Sequence, residues 1–65
     1  MNLLLNGQEE EVRAQTVAGL VSDLGLAPET VLVEHNGTAL LRSEWAHTAL
    51  SDNDRLEILR VAAGG

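Results

Sequence analysis

The segment that decides the fold is residues 16–25, with the sequence TVAGLVSDLG. Its apolar residues recur at the i, i+3, i+4, i+7 spacing of a helix that buries one face. They are Val17, Leu20, Val21 and Leu24. Thr16 is a favourable N-cap, and Gly25 stands where a helix commonly ends in a left-handed residue. We therefore predict one amphipathic helix over residues 16–24.

Three further residues define how this helix ends and what it packs against. Leu26 is placed to close back on Val21 in a Schellman motif, and Pro28 prevents the helix from continuing. Gly19 lies inside the first turn, where glycine costs up to ~1 kcal/mol relative to alanine. A close approach of the helix to a sheet is one reason for a glycine there.

A β-hairpin is expected on each side of the helix. Asn6-Gly7 and Asn36-Gly37 are strong hairpin signals, because both residues of each pair tolerate positive φ. The run Glu9 to Glu11 suits an edge strand, where charge discourages pairing with another chain. The four strands of the two hairpins are residues 1–5, 8–13, 31–35 and 38–41.

The chain then returns to the sheet in a last strand. Residues 42–46 indicate a single helical turn with Ser43 as its cap, and Trp45 is expected to plug the open end of the core. Residues 51–54 indicate a turn in which Asn53 takes the left-handed conformation, followed by a strand over 55–61. Strands before and after a single helix predict an α+β fold with that helix across one face of the sheet.

Period-2 alternation assigns the strand residues to the two faces. Leu3, Leu56, Ile58, Val31, Val33 and His35 are expected to face the helix. The residues sent to the other face are Leu4, Leu32, Leu59 and Val61. One helix leaves that face uncovered, so these four are expected to form a docking surface for partners. The alternative is that they are ordinary scattered surface leucines.

Length and composition exclude several classes of function. The 65 residues make one small domain without the volume for an enclosed catalytic cleft. The absence of cysteine excludes a disulfide, a thiolate metal site and a thiol nucleophile. A net charge of −6, with arginine but no lysine, argues against nucleic acid and fits a positively charged partner. No signal peptide or membrane span is recognisable, so a cytoplasmic protein is expected.

The remaining polar residues do not form a catalytic or metal site. His35 and His47 lack the spacing of metal ligands, and His35 is expected to be a partly buried, hydrogen-bonded histidine. Asp52 and Asp54 flank a turn, where aspartate bonds to the backbone. We therefore expect neither an enzyme nor a bound metal or cofactor.

The reactive group is expected at residues 62–65, Ala-Ala-Gly-Gly, which follow the folded domain of residues 1–61. Four small residues bury too little surface to become ordered, so a thin, extended arm is predicted. An ionised carboxylate on Gly65 is a poor acyl donor until it is activated, for example as an acyl adenylate. The alternative is an inert glycine-rich stub.

Several stretches together resemble the ThiS family, the sulfur carriers of thiamine biosynthesis. They are residues 1–7, 16–17, 31–37, 42–46, 50–57 and 64–65. The chain departs from the family pattern at Leu41, where proline is frequent, at Asn53, where glycine is common, and at Gly19, where the family has a better helix former. The resemblance implies a ubiquitin-like β-grasp fold. That fold has a mixed four- to five-stranded sheet with the first and last strands parallel at its centre.

The resemblance also implies a function. A ThiF-type adenylyltransferase would use ATP to adenylate Gly65, and sulfur from a cysteine desulfurase would convert the adenylate to a thiocarboxylate. Thiazole synthase, of the ThiG type, would then take the sulfur, with Ala62, Ala63, Gly64 and Gly65 inserted in the partner's active site. No nucleic acid or membrane is involved.

Two related functions remain open on the sequence alone. One is a carrier for another sulfur pathway, such as the small subunit of molybdopterin synthase. The other is a ubiquitin-like modifier that joins Gly65 to other proteins through isopeptide bonds. The absence of lysine means that this chain cannot build lysine-linked chains on itself.

Overall fold

The computed structural model describes residues 1–61, which form a five-stranded sheet with one helix across one face. Residues 62–65, and with them the predicted arm, lie outside the described residues. The strands are β1 (Asn2–Leu5), β2 (Gln8–Glu11), β3 (Val31–His35), β4 (Thr38–Leu40) and β5 (Arg55–Arg60), and the helix is α1 (Val17–Asp23). Two 3₁₀ helices, Pro28–Thr30 and Arg42–His47, complete the order.

The strands lie in the order β2-β1-β5-β3-β4. The hairpin strands β1–β2 and β3–β4 pair antiparallel, β5 pairs antiparallel with β3, and β1 pairs parallel with β5. The first and last strands are therefore neighbours at the centre of a mixed sheet, as predicted. β2 is an edge strand with every residue exposed, which agrees with its run of glutamates.

The core lies between α1 and the inner face of the sheet. The helix contributes Val17, Leu20 and Val21, each at most 1% exposed. The strands and loops add Leu3, Val31, Val33, Trp45, Leu50, Leu56 and Ile58. Leu3, Val31, Val33, Leu56 and Ile58 are therefore confirmed as inward residues, whereas His35 is only partly buried. Trp45 is buried, although its indole N–H has no partner among the described residues.

The helix begins and ends as local chemistry requires. The Thr16 hydroxyl accepts a hydrogen bond from the Gly19 N–H (3.1 Å), which confirms the N-cap. Gly25 has φ +71°, and the Leu26 N–H donates to the Val21 carbonyl (3.3 Å), as in a Schellman motif. Leu24, predicted to be buried, is instead 44% exposed. The turn at Gly25 reverses the chain, so that Leu26 packs against the core in its place.

Two smaller predictions are also wrong. Ser43 is not the cap of the 3₁₀ helix Arg42–His47, because Leu41 is the N-cap residue. The Glu44 carboxylate accepts a hydrogen bond from the backbone N–H of Leu41 (2.7 Å). This N–H therefore has an acceptor without a serine side chain. Gly19 does not approach the sheet, since a Cβ there would meet only Thr16 Oγ1 at 3.4 Å and Ala14 Cβ at 3.5 Å.

The asparagines of both hairpin turns bind β5. Asn6 and Asn36 have φ of 51° and 50°, as the hairpin signals predict. The Asn6 side chain accepts from the Ile58 N–H (2.7 Å) and donates to the Ile58 carbonyl (3.2 Å). The Asn36 side chain accepts from the Arg55 N–H (2.8 Å). The Asn6 amide thus acts as an extra peptide group beside β5, and the Asn36 amide supplies one further acceptor to β5 from the opposite side. We call these two contacts the asparagine clamp.

Asn6→Gly tests this clamp. Glycine keeps the left-handed turn but removes both bonds to Ile58, so we expect a loss of about 1–3 kcal/mol in the free energy of unfolding, measured with urea. Asn53→Gly is the matched control, because Asn53 also has positive φ (72°) but makes no side-chain hydrogen bond among the described residues. Equal effects of the two substitutions would contradict the clamp.

Gly19→Ala tests whether glycine is required in α1. Both neighbours of the added Cβ lie at ordinary contact distance, so the gain in helix propensity is not opposed. We expect the free energy of unfolding to rise by about 0.5–1 kcal/mol, seen as a higher Tm. Gly25→Ala should lower the Tm, because Gly25 requires positive φ. A lower Tm for Gly19→Ala would mean that the Thr16 cap is disturbed.

Candidate docking surface and the base of the tail

The outer face of the sheet carries the four residues that alternation assigned to it. Leu4 is 36% exposed, Leu32 57%, Leu59 54% and Val61 40%. No described element covers this face, because α1 packs on the other one. The four assignments are therefore confirmed as exposed positions, and their role in docking stays a prediction.

The structure does not bring these four residues into one patch. Leu32 and Leu59 are directly opposite in the β3–β5 pair. Leu4 is paired instead with Arg55, and Leu59 lies about 13 Å farther along β5. The expected patch is therefore divided into a Leu32–Leu59 end, next to Val61, and a separate Leu4 end.

Leu41 belongs to the first of these ends and was missed by the sequence analysis. It follows β4 by one residue and is 69% exposed. The register pairs Val33 with Leu40, and its continuation by one residue places Leu41 opposite Leu32. We call Leu59, Leu32 and Leu41 the leucine row. Alternation carried past the end of β4 would have assigned Leu41 to this face.

Two glutamates border the leucine row on the same face. Glu34 and Glu57 are directly opposite in the β3–β5 pair, two residues from Leu32 and Leu59, and both are exposed. We call them the acid pair. Over residues 1–61 the one ion pair is that of His35 with Asp54, so neither glutamate has a cationic partner there. Like charges directly opposite in a sheet are destabilising.

The Leu4 end holds a small cleft. Asn2, Leu3, Leu4, Glu9 and Asn53 line a volume of about 130 Å³. Small-molecule sites usually enclose about 300–1,000 Å³, so this cleft is too small for a substrate.

Within the described residues there is also no group of histidine and carboxylate side chains that could hold a metal. No helix within residues 1–61 is long and apolar enough to cross a membrane.

His35 and Asp54 have a structural role. His35 Nε2 donates to Asp54 Oδ2 (2.8 Å), Asn36 Nδ2 donates to Asp54 Oδ1 (3.1 Å), and the Ser51 N–H donates to Asp54 Oδ2 (2.9 Å). This network joins the β3–β4 turn to the turn before β5. Asp52 likewise accepts from the Asn2 N–H (2.9 Å), while His47 is exposed. The predicted structural use of His35 and of both aspartates is confirmed.

The network also sets the acidity of Asp54. Burial by itself raises the pKa of this carboxyl, but the hydrogen bonds from His35, Asn36 and Ser51, with the charge of protonated His35, outweigh it. The pKa of Asp54 therefore lies below its ordinary value. The ionised carboxylate stabilises the fold.

The base of the tail is anchored beside the leucine row. β5 ends at Arg60, and the Val61 N–H donates to the Thr30 carbonyl (2.8 Å). This bond ties the last described residue to the loop before β3. Gly65 and the other predicted tail residues, Ala62, Ala63 and Gly64, lie outside the described residues.

The fold and the outer face together define a ubiquitin-like β-grasp domain that presents an open sheet surface. The ThiS family model matches residues 3–65. The chain therefore belongs to the ThiS family.

Solved structures of a relative support this assignment. The crystal structure of the thiamine biosynthesis protein ThiS from Geobacter metallireducens is 39% identical, with a TM-score of 0.82 and full coverage of both chains. The solution structure of a thiamine biosynthesis protein from the same organism is 38% identical, with a TM-score of 0.83, and the match covers all of this chain and 88% of that one. The resemblance to the family is thus confirmed in both sequence and fold.

Two curated relatives are longer proteins. Thiazole synthase of Paramagnetospirillum magneticum is 38% identical over 66 residues, and thiazole synthase of Magnetococcus marinus is 35% identical over 66 residues. Each match covers 100% of this chain but only 20% of the relative. The chain thus spans one fifth of the length of these two proteins.

Asp54→Asn tests the network through pH. The pKa of Asp54 is lower in the folded protein than in the unfolded chain. Its ionised carboxylate therefore contributes its full stabilisation of the fold above the pKa of the unfolded state, near 4. That contribution is lost as the pH falls through the pKa of the folded state. We expect the variant to be less stable than the unaltered chain at pH 6–7. The difference should shrink as the pH drops below about 4, in urea unfolding at each pH. Asp23→Asn, at an exposed aspartate, controls for the loss of one charge. A difference that does not change with pH would contradict the role of the ionised carboxylate.

Proposed function

We propose that this chain is the sulfur carrier of thiamine biosynthesis and that Gly65 carries the sulfur. The observation that carries the proposal is the family match, which extends to Gly65 and so includes the Gly64-Gly65 end. The likeness to the Geobacter metallireducens ThiS over the whole of both chains supports it.

The proposed chemistry takes place on the Gly65 carboxylate in two steps. A carboxylate oxygen attacks the α-phosphorus of ATP, the bond to the β-phosphate oxygen breaks, and pyrophosphate leaves. The product is an acyl adenylate. Sulfide, released from a desulfurase persulfide when a second thiol attacks it and forms a disulfide, then attacks the acyl carbon. AMP leaves with the electron pair of its C–O bond. A thiocarboxylate remains on Gly65.

This division of labour makes the chain a co-substrate and places catalysis in its partners. A ThiF-type adenylyltransferase would bind the ATP and carry out the first step. A cysteine desulfurase would supply the sulfur. The replacement of oxygen by sulfur on Gly65 would take place in the cytoplasm, where the ATP-consuming partner would work.

Thiazole synthase is the proposed acceptor of the sulfur. In the relatives from Paramagnetospirillum magneticum and Magnetococcus marinus, a segment matching this whole chain is part of a polypeptide named thiazole synthase. Such an arrangement would keep the carrier next to its acceptor. In this protein we propose that the outer face of the sheet makes the contact and that the tail reaches into the acceptor's active site.

The geometry at the base of the tail suits this role. The anchor at Val61 lies beside the leucine row, so a partner held on the row would be close to the start of the tail. Residues 62–65 can span at most about 14 Å when fully extended. One residue more or less is therefore a large fraction of the reach. The proposal requires that Gly65 bear the free carboxylate.

The test is sulfur loading of a chain that ends at Gly65. With ATP, a sulfide source and a ThiF-type adenylyltransferase, mass spectrometry should show the exchange of one oxygen for one sulfur. Deletion of Gly65, or one residue added after it, should abolish loading, because a displacement of ~1 Å can already cost about a hundredfold in rate. The Tm of both variants should equal that of the unaltered chain.

The same residue added before Met1 is the matched control and should leave loading unchanged. A chain extended beyond Gly65 that is loaded at the normal rate, without prior cleavage, would rule out the carrier mechanism.

A further inference from the structure

We propose that thiazole synthase binds one end of the outer face, the leucine row, and presents to it an apolar pocket bordered by arginine or lysine. The basic side chain would bind between the two carboxylates of the acid pair. This inference rests on the proposed function and specifies which part of the face is used and what chemistry the partner brings.

The leucine row gives this end of the outer face its apolar character. Leu59 and Leu32 are directly opposite across β5 and β3. Leu41, one residue after β4, keeps an extended backbone (φ −71°, ψ 148°), so the β3–β4 register continued by one residue puts it beside Leu32. Each of the three leucines is more than half exposed. Three adjacent exposed leucines form a contiguous surface, whereas single exposed leucines need no explanation. Val61 extends this surface to the base of the tail.

The acid pair gives the same end of the outer face its negative charge. Opposed residues in an antiparallel pair have Cβ atoms about 4.5–5.5 Å apart, so the carboxylates of Glu34 and Glu57 repel each other in the free protein. No ion pair within residues 1–61 relieves this repulsion. A single arginine or lysine from a partner would contact both carboxylates and remove it. The acid pair adjoins the leucine row, so one docked surface reaches both.

The net charge of the chain favours a basic partner over a second copy of itself. Each copy carries a net charge of −6 and no lysine, so two copies face to face repel each other. A partner with a positive docking surface gains from the same charge, both in affinity and in the rate of encounter.

The Leu4 end does not fit the same partner. It lies about 13 Å from Leu59 along the strand direction, and its neighbour across the β1–β5 pair is Arg55. A basic partner side chain over Leu4 would therefore meet the Arg55 cation directly and no opposed pair of carboxylates. Leu4 is therefore left out of the contact, although alternation assigned it to the same face.

The experiment measures the Kd for purified thiazole synthase by calorimetry at low and high salt, beside the Tm of each variant. Leu59→Asp and Leu41→Asp should weaken binding by about tenfold or more, with little change in Tm, because both side chains are exposed. Leu4→Asp, and Leu24→Ser on the other side of the molecule, should leave the Kd within about twofold.

The acid pair gives the sharper result, because binding and stability should change in opposite directions. Glu34→Gln and Glu57→Gln should each raise the Tm by about 1–4 °C, since the repulsion is removed. The same variants should weaken binding by about threefold or more and reduce its dependence on salt. Glu10→Gln, on β2, makes the same charge change away from the row and should alter neither the Kd nor its salt dependence.

The outcomes separate this inference from the proposed function. If Leu4→Asp weakens binding as much as Leu59→Asp, or if the glutamine variants bind as tightly as the unaltered chain, the inference is wrong. It is also wrong if the unaltered chain does not bind thiazole synthase, or if it forms a dimer that Leu59→Asp disrupts. Sulfur loading of Gly65 decides the proposed function independently of each of these results.

Discussion

The placement of β5 between β1 and β3 is the constraint on which the rest of the structure depends. β5 is the last strand in the chain, yet it is central in the sheet, where it pairs parallel with β1 and antiparallel with β3. Neither hairpin can bury its apolar side chains fully until β5 joins them. Asn6 and Asn36 then complete the junction, because their side-chain amides hydrogen-bond to the β5 backbone from both sides.

The same placement couples the core to the surface that we assign to partners. Leu56 and Ile58 of β5 are buried against the helix, while Glu57 and Leu59 of the same strand face outward. The strand then leads through Val61 to the tail. One rigid central strand thus fixes both the outward row and the point from which residues 62–65 start. A docked partner would meet the tail in a defined place for this reason.

Several polar side chains of residues 1–61 hold turns and strand junctions together. Asp54 accepts three hydrogen bonds, and Asp52 accepts one from the first strand. An aspartate whose carboxylate is held in this way is stabilised in its ionised form, and its pKa is lowered. Such a group supports the fold.

The sequence by itself determined the features that depend on neighbouring residues. The helix with its Thr16 cap, the positive φ at Asn6, Asn36 and Asn53, and the alternation of Leu56 to Leu59 all follow from local backbone chemistry and side-chain periodicity. The family resemblance added the prediction that the first and last strands are parallel neighbours at the centre of the sheet, which local rules do not contain.

Only the tertiary structure decided which outward residues lie together. The register of β5 against β1 and β3 placed Leu59 beside Leu32 and the two glutamates face to face, and it separated Leu4 from both. The end of α1 left Leu24 exposed, because the turn at Gly25 brought Leu26 to the core instead. Register and chain reversal depend on residues far apart in the sequence. Periodicity within one strand or helix therefore determines the face of a residue but not its neighbours across the sheet.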